Sequence, residues 1–373
     1  MDWALTLGTV RGIRIRMHLT FLLIIPWAAY NWGIALGRGW SGALFGMIFI
    51  VVLFLCIVLH ELAHSLVAML YGVRVREIEL SPIGGVAKMD SMPEKPYQEL
   101  AMALAGPLVN LVIAVPLGWL ILLLIRSGFI RSISHFAYLM SRPSWQSFIL
   151  NLFTSNVLLA LFNLLPAFPM DGGRVLRSAL AWGIGQRQAT RLAAYVGQVA
   201  AVVLALAGLL TGNLILVLIG IFVFSGAQQE ERLTNFQAVL SDLRVGQALI
   251  TPCSTLSPDD TLATTLELAM HGHPACFAVV ETGRLVGLLT HVDITSALET
   301  YGQGVRVGDI MRTGFPTISP MDTLARAHQL MASSGLRALP VTKDGHLLGM
   351  VTAQQINEIY ALLSAHRRGQ QSW

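Results

Sequence analysis

A chain of 373 residues with 54% hydrophobic and 12% charged residues cannot clothe a water-facing surface, because soluble proteins carry about 25% charged residues. Its mean hydropathy of +0.63 excludes an ordinary soluble enzyme, a disordered chain and a collagen-like one. The net charge of +4 divides into +7 over residues 1–226 and −3 over 227–373, so the basic excess sits in the apolar part, where it reads as a topology signal and not as a nucleic-acid surface.

Five stretches lack any Asp, Glu, Lys or Arg: 17–37, 39–60, 100–125, 143–170 and 192–229. A helix needs roughly 20 apolar residues to cross a bilayer. Each of the first four predicts one helix, and the fifth predicts two joined at Thr211-Gly212-Asn213, for about six membrane helices. The first stretch follows Arg11, Arg14 and Arg16, exceeds a signal-peptide core and shows no clear cleavage site, so it reads as a retained anchor. With the N-terminus in the cytoplasm, the inner segments carry eleven basic residues (Arg11, Arg14, Arg16, Arg74, Arg76, Lys88, Lys95, Arg174, Arg177, Arg187, Arg191). The outer segments then carry four, Arg38, Arg126, Arg131 and Arg142. This bias predicts a multi-pass protein of the cell membrane with both termini inside. Cys56, Cys253 and Cys276 form no paired spacing, consistent with a reducing compartment.

The second predicted helix ends on His60-Glu61-Leu62-Ala63-His64, after the wholly apolar run 51–59. Positions i and i+4 share a helix face, so His60 and His64 can bind one metal ion together. Glu61 can then reach a metal-bound water, whose pKa zinc lowers to about 7. The alternative is a pair of packed histidines with a glutamate at an interface, but ionisable groups inside a membrane are costly without a use. Catalytic zinc takes three protein ligands as a rule. His18 sits among basic residues at the start of the first stretch, and His135 falls on the predicted outer loop. The better third ligand is Asp171, in the segment Asn163-Leu-Leu-Pro-Ala-Phe-Pro-Met-Asp-Gly-Gly-Arg174. There Pro166 and Pro169 break a helix, and Gly172 and Gly173 allow a sharp turn. The alternative for Asp171 is a helix cap ahead of a basic loop.

HExxH in a membrane helix, followed about a hundred residues on by NxxPxxPxDG, resembles the site-2 protease family of intramembrane zinc metalloproteases, peptidase family M50. The resemblance covers residues 1 to about 226. It implies His60, His64 and Asp171 as ligands of one Zn2+ per chain, Glu61 as general base, and Asn163 near the substrate backbone or oxyanion. It also implies a substrate that is itself a single-span membrane protein. Ser81-Pro-Ile-Gly-Gly85 is similar to the family's membrane-dipping β-hairpin, and a simple Pro-Gly turn remains the alternative. Gly106-Pro107 and Asn110 are similar to a third family patch, or serve helix packing.

Beyond Glu230 the apolar runs shorten to α/β texture, and a repeat appears at a constant offset of 62. Thr255-Leu-Ser-Pro-Asp-Asp-Thr-Leu262 returns as Thr317-Ile-Ser-Pro-Met-Asp-Thr-Leu324, and Gly283-Arg-Leu-Val-Gly287 as Gly345-His-Leu-Leu-Gly349. Each unit predicts helix, strand, turn, strand and closing helix. The pattern resembles a tandem CBS pair, a module that often dimerises and often binds an adenine nucleotide. Thr290-His-Val-Asp293 matches the nucleotide motif, whereas the second copy reads Thr352-Ala-Gln-Gln355, which implies at most one full site, at Thr290 and Asp293. A purely structural dimerisation module is the other reading. His271 and His273 read as surface residues.

The expected organisation is therefore a polytopic α-helical membrane domain over 1–226, a linker over 227–243, and an α/β CBS pair over 244–300 and 306–362. The expected function is intramembrane zinc-dependent proteolysis with a regulatory or dimerising CBS pair. A CBS-gated transporter or channel is the alternative, although the membrane part shows no repeated halves.

Overall fold

Ile13, Ile15 and Met17 alternate with Arg14 and Arg16, a period of two that makes a strand with one apolar face. The computed structural model describes residues 4–370 except 82–83, 90–92, 94, 129–131, 133–137, 140–141, 250–253 and 273–275. In it β2 (Ile13–His18) pairs antiparallel with β1 (Ala4–Val10) and parallel with β3 (Val75–Ser81), which turns back into β4 (Gly84–Met89). The order β1-β2-β3-β4 leaves β4 at an edge. Ile13, Ile15, Val75, Ile78 and Leu80 pack with Val58, Ala68 and Met102. The charged face carries Glu77, which accepts from Lys88 Nζ at 2.9 Å.

This sheet shortens the first expected helix. Strand β2 runs through His18, and only a shorter helical stretch, α1 (Leu19–Ala35), follows, beginning as a 3-10 turn and ending as a π turn. Five helices among the described residues are long and apolar enough to cross a membrane: α2 (Gly39–Leu70), α3 (Pro96–Arg126), α4 (Trp145–Asn163), and two more described below. Six was therefore approximate. Between α4 and the last pair stands α5 (Asp171–Ile184), a helix in place of the basic loop that the alternative reading of Asp171 assumed. Then come α6 (Gln186–Thr211) and α7 (Leu214–Ser241), joined at left-handed Gly212 as the sequence predicts. The chain divides into two units, Met1–Arg232 and Leu233–Trp373.

Within the first unit α2 buries Gly42, Gly46, Phe49, Cys56, His60, His64 and Ala68, one stripe at helical spacing. A β-carbon at Gly46 would lie 2.8 Å from the carbonyl oxygen of Ala28, so glycine lets α1 and α2 touch.

The second unit repeats as predicted. Strands β5 (Thr255–Leu256), β6 (Cys276–Glu281), β7 (Arg284–Thr290), β8 (Ala338–Lys343) and β9 (His346–Thr352) form one sheet, ordered β5-β6-β7-β9-β8. Helices α8 (Leu262–Gly272) and α9 (His291–Tyr301) flank the first hairpin, and α11 (Leu324–Ser334) and α12 (Ala353–Gln370) the second, with a short α10 (Val307–Ile310) between. The hairpins turn through the positive-φ pairs Thr282-Gly283 and Asp344-Gly345, and their bulges fall at Val279/Val280 and Val341/Thr342. The segments ahead of the repeats are exchanged. Val245 N and Gly246 N donate to the carbonyls of Asp322 and Pro320, while Val307 N and Gly308 N donate to those of Asp260 and Pro258. Val245 accordingly packs with Leu324 and Val341 of the second repeat, and Val307 with Leu262 and Val279 of the first.

Candidate metal centre

Helix α2 delivers both histidines on its buried stripe. Their Nε2 atoms stand 3.1 Å apart. Asp171, the first residue of α5, places Oδ2 3.3 Å from Nε2 of His60 and 3.1 Å from Nε2 of His64. Ligand atoms bonded to zinc at 2.0–2.1 Å in a tetrahedron lie about 3.3–3.4 Å apart, so the three edges approximate one face of that tetrahedron. Two imidazoles and a carboxylate are also a donor set that suits zinc. His60, His64 and Asp171 thus form a group able to hold a metal ion.

The outer nitrogens are committed, which leaves the inner ones bare. Nδ1 of His64 donates to the carbonyl of Met102 at 2.7 Å, and a carbonyl can only accept, so the proton is on Nδ1. Nδ1 of His60 donates to Oδ1 of Asn110 at 3.3 Å. Both partners belong to α3, and such contacts orient metal ligands. A packing role for Asn110 was one reading of the sequence; the hydrogen bond to His60 favours the other. Gly106 lies between these two partners. A β-carbon there would overlap Nε2 of His64 and lie 2.7 Å from Nε2 of His60. The glycine is therefore a cradle for the rings.

Glu61, one residue past His60, points its side chain at strand β4. A β-carbon at Gly85 would overlap Cγ of Glu61 and lie 3.0 Å from Cδ. Gly85 pairs with Leu80 on one side, and the other side of β4 is the sheet edge. The hairpin similarity is described at Ser81, Gly84 and Gly85, whereas residues 82–83 lie outside the described residues, as do His135, Cys253 and His273.

The segment ahead of Asp171 folds for a different reason than the sequence suggested. Gly172 and Gly173 do not turn the chain; both are helical residues in the first turn of α5. Their use is close approach. A β-carbon at Gly172 would overlap the carbonyl of Leu165, and one at Gly173 would lie 2.7 Å from N of Phe168. The turn thereby folds tightly onto the start of α5 and sets Asp171 against the histidines. Asn163 is the last residue of α4, half-buried, and stands outside the group of three.

In the second unit Thr290 caps α9 and Asp293 reciprocates, accepting from Thr290 N at 3.0 Å and from its hydroxyl at 2.6 Å. Arg312, which sequence reading missed, grips the same carboxylate through Nε at 2.9 Å and Nη2 at 2.7 Å. Burial opposes the charge on Asp293, but the Arg312 and Thr290 hydrogen bonds outweigh it and hold the carboxyl below the usual carboxylate range. In the second repeat Gln355 takes the capping place, accepting from Thr352 N at 3.3 Å.

A family model described as peptidase family M50 matches residues 48–207. A model described as CBS domain matches residues 245–300 and 307–361. The chain is 34% identical to the zinc metalloprotease MJ0392 of Methanocaldococcus jannaschii over 78% of this chain and 78% of that one. It is 28% identical to Rip3 of Mycobacterium tuberculosis over 98% of this chain and 94% of that one. Among solved structures it is similar to the site-2 protease from Methanocaldococcus jannaschii, at 38% identity, covering 62% of this chain and 96% of that one, with a TM-score of 0.43.

Proposed function

This chain belongs to peptidase family M50, with a tandem CBS pair appended, and from that premise we propose that His60, His64 and Asp171 hold its zinc and that Glu61 is its general base. The chain is a zinc metalloendopeptidase with membrane-capable helices; a CBS-gated transporter is not favoured. The observation that carries the residue assignment is the convergence of two bare Nε2 atoms and one carboxylate oxygen, with Glu61 next to His60 in the chain.

Zinc held there would polarise the scissile carbonyl and activate a water near neutral pH. Glu61 takes the proton of the attacking water and passes one to the leaving amine. Asn163 stabilises the oxyanion from the end of α4. The substrate is a single-span membrane protein whose helix unwinds locally and adds as a strand to the free edge of β4, beside Glu61. The eleven-to-four bias of basic residues supports a cytoplasmic side for both termini and the CBS pair, with the shorter α1 counted as a sixth crossing. The CBS pair takes an adenine nucleotide at Thr290 and Asp293 in exchange for the Arg312 contact, and joins two copies of the chain.

The test is cleavage of a single-span reporter by purified protein, wild type beside Glu61→Gln, with zinc measured on both. Loss of cleavage by about 10²-fold or more with zinc retained is expected. A wild type devoid of zinc refutes the metal site. Titration of ATP and AMP against wild type and Asp293→Asn tests the nucleotide reading, which fails if wild type shows no binding.

A further inference from the structure

Arg177 lies on α5, the helix that begins with the proposed ligand Asp171, and only 4% of it is exposed. Two carboxylates share its guanidinium. Nε donates to Oε1 of Glu99 at 2.8 Å, and Nη2 closes on the same oxygen. Nη1 donates to Oε1 of Glu230, on α7, at 2.5 Å. Its Cζ stands 5.1 Å from the ring centroid of Phe168, in the turn before Asp171. The second oxygen of Glu99 accepts from Nε2 of Gln186 at 3.1 Å, and Glu99 is 2% exposed. A buried ion cluster of this kind contributes little net stability, because desolvation offsets attraction; its best-attested use is to fix register.

Glu99 is in the first turn of α3. The same helix then presents the Met102 carbonyl to His64, Gly106 to both rings, and Asn110 to His60. We propose that Arg177 is a positioning residue for the zinc site: by clamping α5 to α3 it sets Asp171 Oδ2 against the two histidine nitrogens, with Glu230 of α7 as the clamp's third member. Metal–ligand distances in a formed zinc site keep within about 0.2 Å of their usual values, whereas shifts of packed helices run to about 1–2 Å.

The inference rests on the zinc reading of His60, His64 and Asp171, and the experiment separates the two. The 373-residue chain in detergent is stripped, then titrated with zinc against a competing chelator and with cobalt to record the visible ligand-field spectrum. Arg177→Lys keeps the charge and loses the fork. It is expected to bind zinc about 10-fold more weakly than wild type, the low end of what direct partners of metal ligands cost, because Arg177 acts through the helices and touches no ligand, and to shift the cobalt spectrum. Glu230→Gln, at a position whose side chain is 23% exposed against 5% for Arg177, is expected to weaken zinc binding several-fold in the same direction. If both variants bind zinc within twofold of wild type with the wild-type cobalt spectrum, and only the melting temperature falls, Arg177 is a structural tie and the inference is overturned. A wild type that takes up no zinc overturns the metal reading itself, and this inference with it.

Discussion

The sharpest test of the metal site is the addition of one methyl group. In Gly106→Ala the new β-carbon would overlap Nε2 of His64 and lie 2.7 Å from both Cε1 and Nε2 of His60. Ordinary contact begins at 3.4 Å, so the His60 ring must retreat by about 0.7 Å and the His64 ring further, against a tolerance of roughly 0.2 Å for zinc ligands. Two of three ligands leave their places together. Losing an outer partner of a ligand costs 10–100-fold, so displacing two ligands should weaken zinc binding by more than about 100-fold, or roughly 2.7 kcal/mol. Turning the rings aside strains their hydrogen bonds to Met102 and Asn110, at about 1–3 kcal/mol for an overpacked site, and alanine's helix preference over glycine offsets about 1 kcal/mol of that. The variant should therefore fold, with an apo melting temperature no more than a few degrees below that of wild type, while failing to load zinc. Differential scanning of the apo protein beside chelator-competition titration reads both quantities. A Gly106→Ala protein that loads zinc like wild type would refute the site geometry.

Two other variants probe independent contacts. Gly85→Ala puts a β-carbon into Cγ of Glu61 and should slow cleavage at least about tenfold while zinc content stays at the wild-type level; equal loss of zinc would mean that β4 supports the ligands instead. Arg312→Gln should flatten an acid response. The folded Asp293 carboxyl is held low, so its stabilisation is present above the unfolded value near 3.9 and is lost as pH falls through the lower folded value. Wild type should lose hydrogen-exchange protection at α9 as pH drops below about 4, and Arg312→Gln should have less to lose; identical profiles would show that the pair does not stabilise this helix.

What the sequence displayed and what it hid divide along one physical line. Side-chain chemistry at fixed spacing was legible: His60, Glu61 and His64 need only a helix to be placed, and the offset of 62 needs only a comparison of letters. Chemistry supplied by backbone or by empty space was not. The Met102 carbonyl that orients His64 carries no signal in its side chain, and the reason for Gly172 is a neighbour's carbonyl, not a turn. Strand β2 was hidden by its charges. Arg14 and Arg16 look like topology signals, yet their alternation with Ile13 and Ile15 is a strand pattern that only the distant β3 completes. Arg312 was missed because its partner lies 19 residues away, outside any local motif.

The exchanged segments of the second unit have a consequence for how such a pair arises. Gly246 closes against Pro320 and Gly308 against Pro258, so each repeat is completed by a segment that belongs, in chain order, to the other. A lone repeat would carry a leading arm with nothing of its own to close on, and would be finished by lending that arm to a second molecule and borrowing one in return. Tandem duplication turns that loan between molecules into one within a chain, where the linker raises the effective concentration of the arm to the millimolar range and the fold no longer depends on dilution. The pair is in this sense a tethered swap, and a chain cut between Gly302 and Val305 should hold together as two pieces rather than yield one folded repeat.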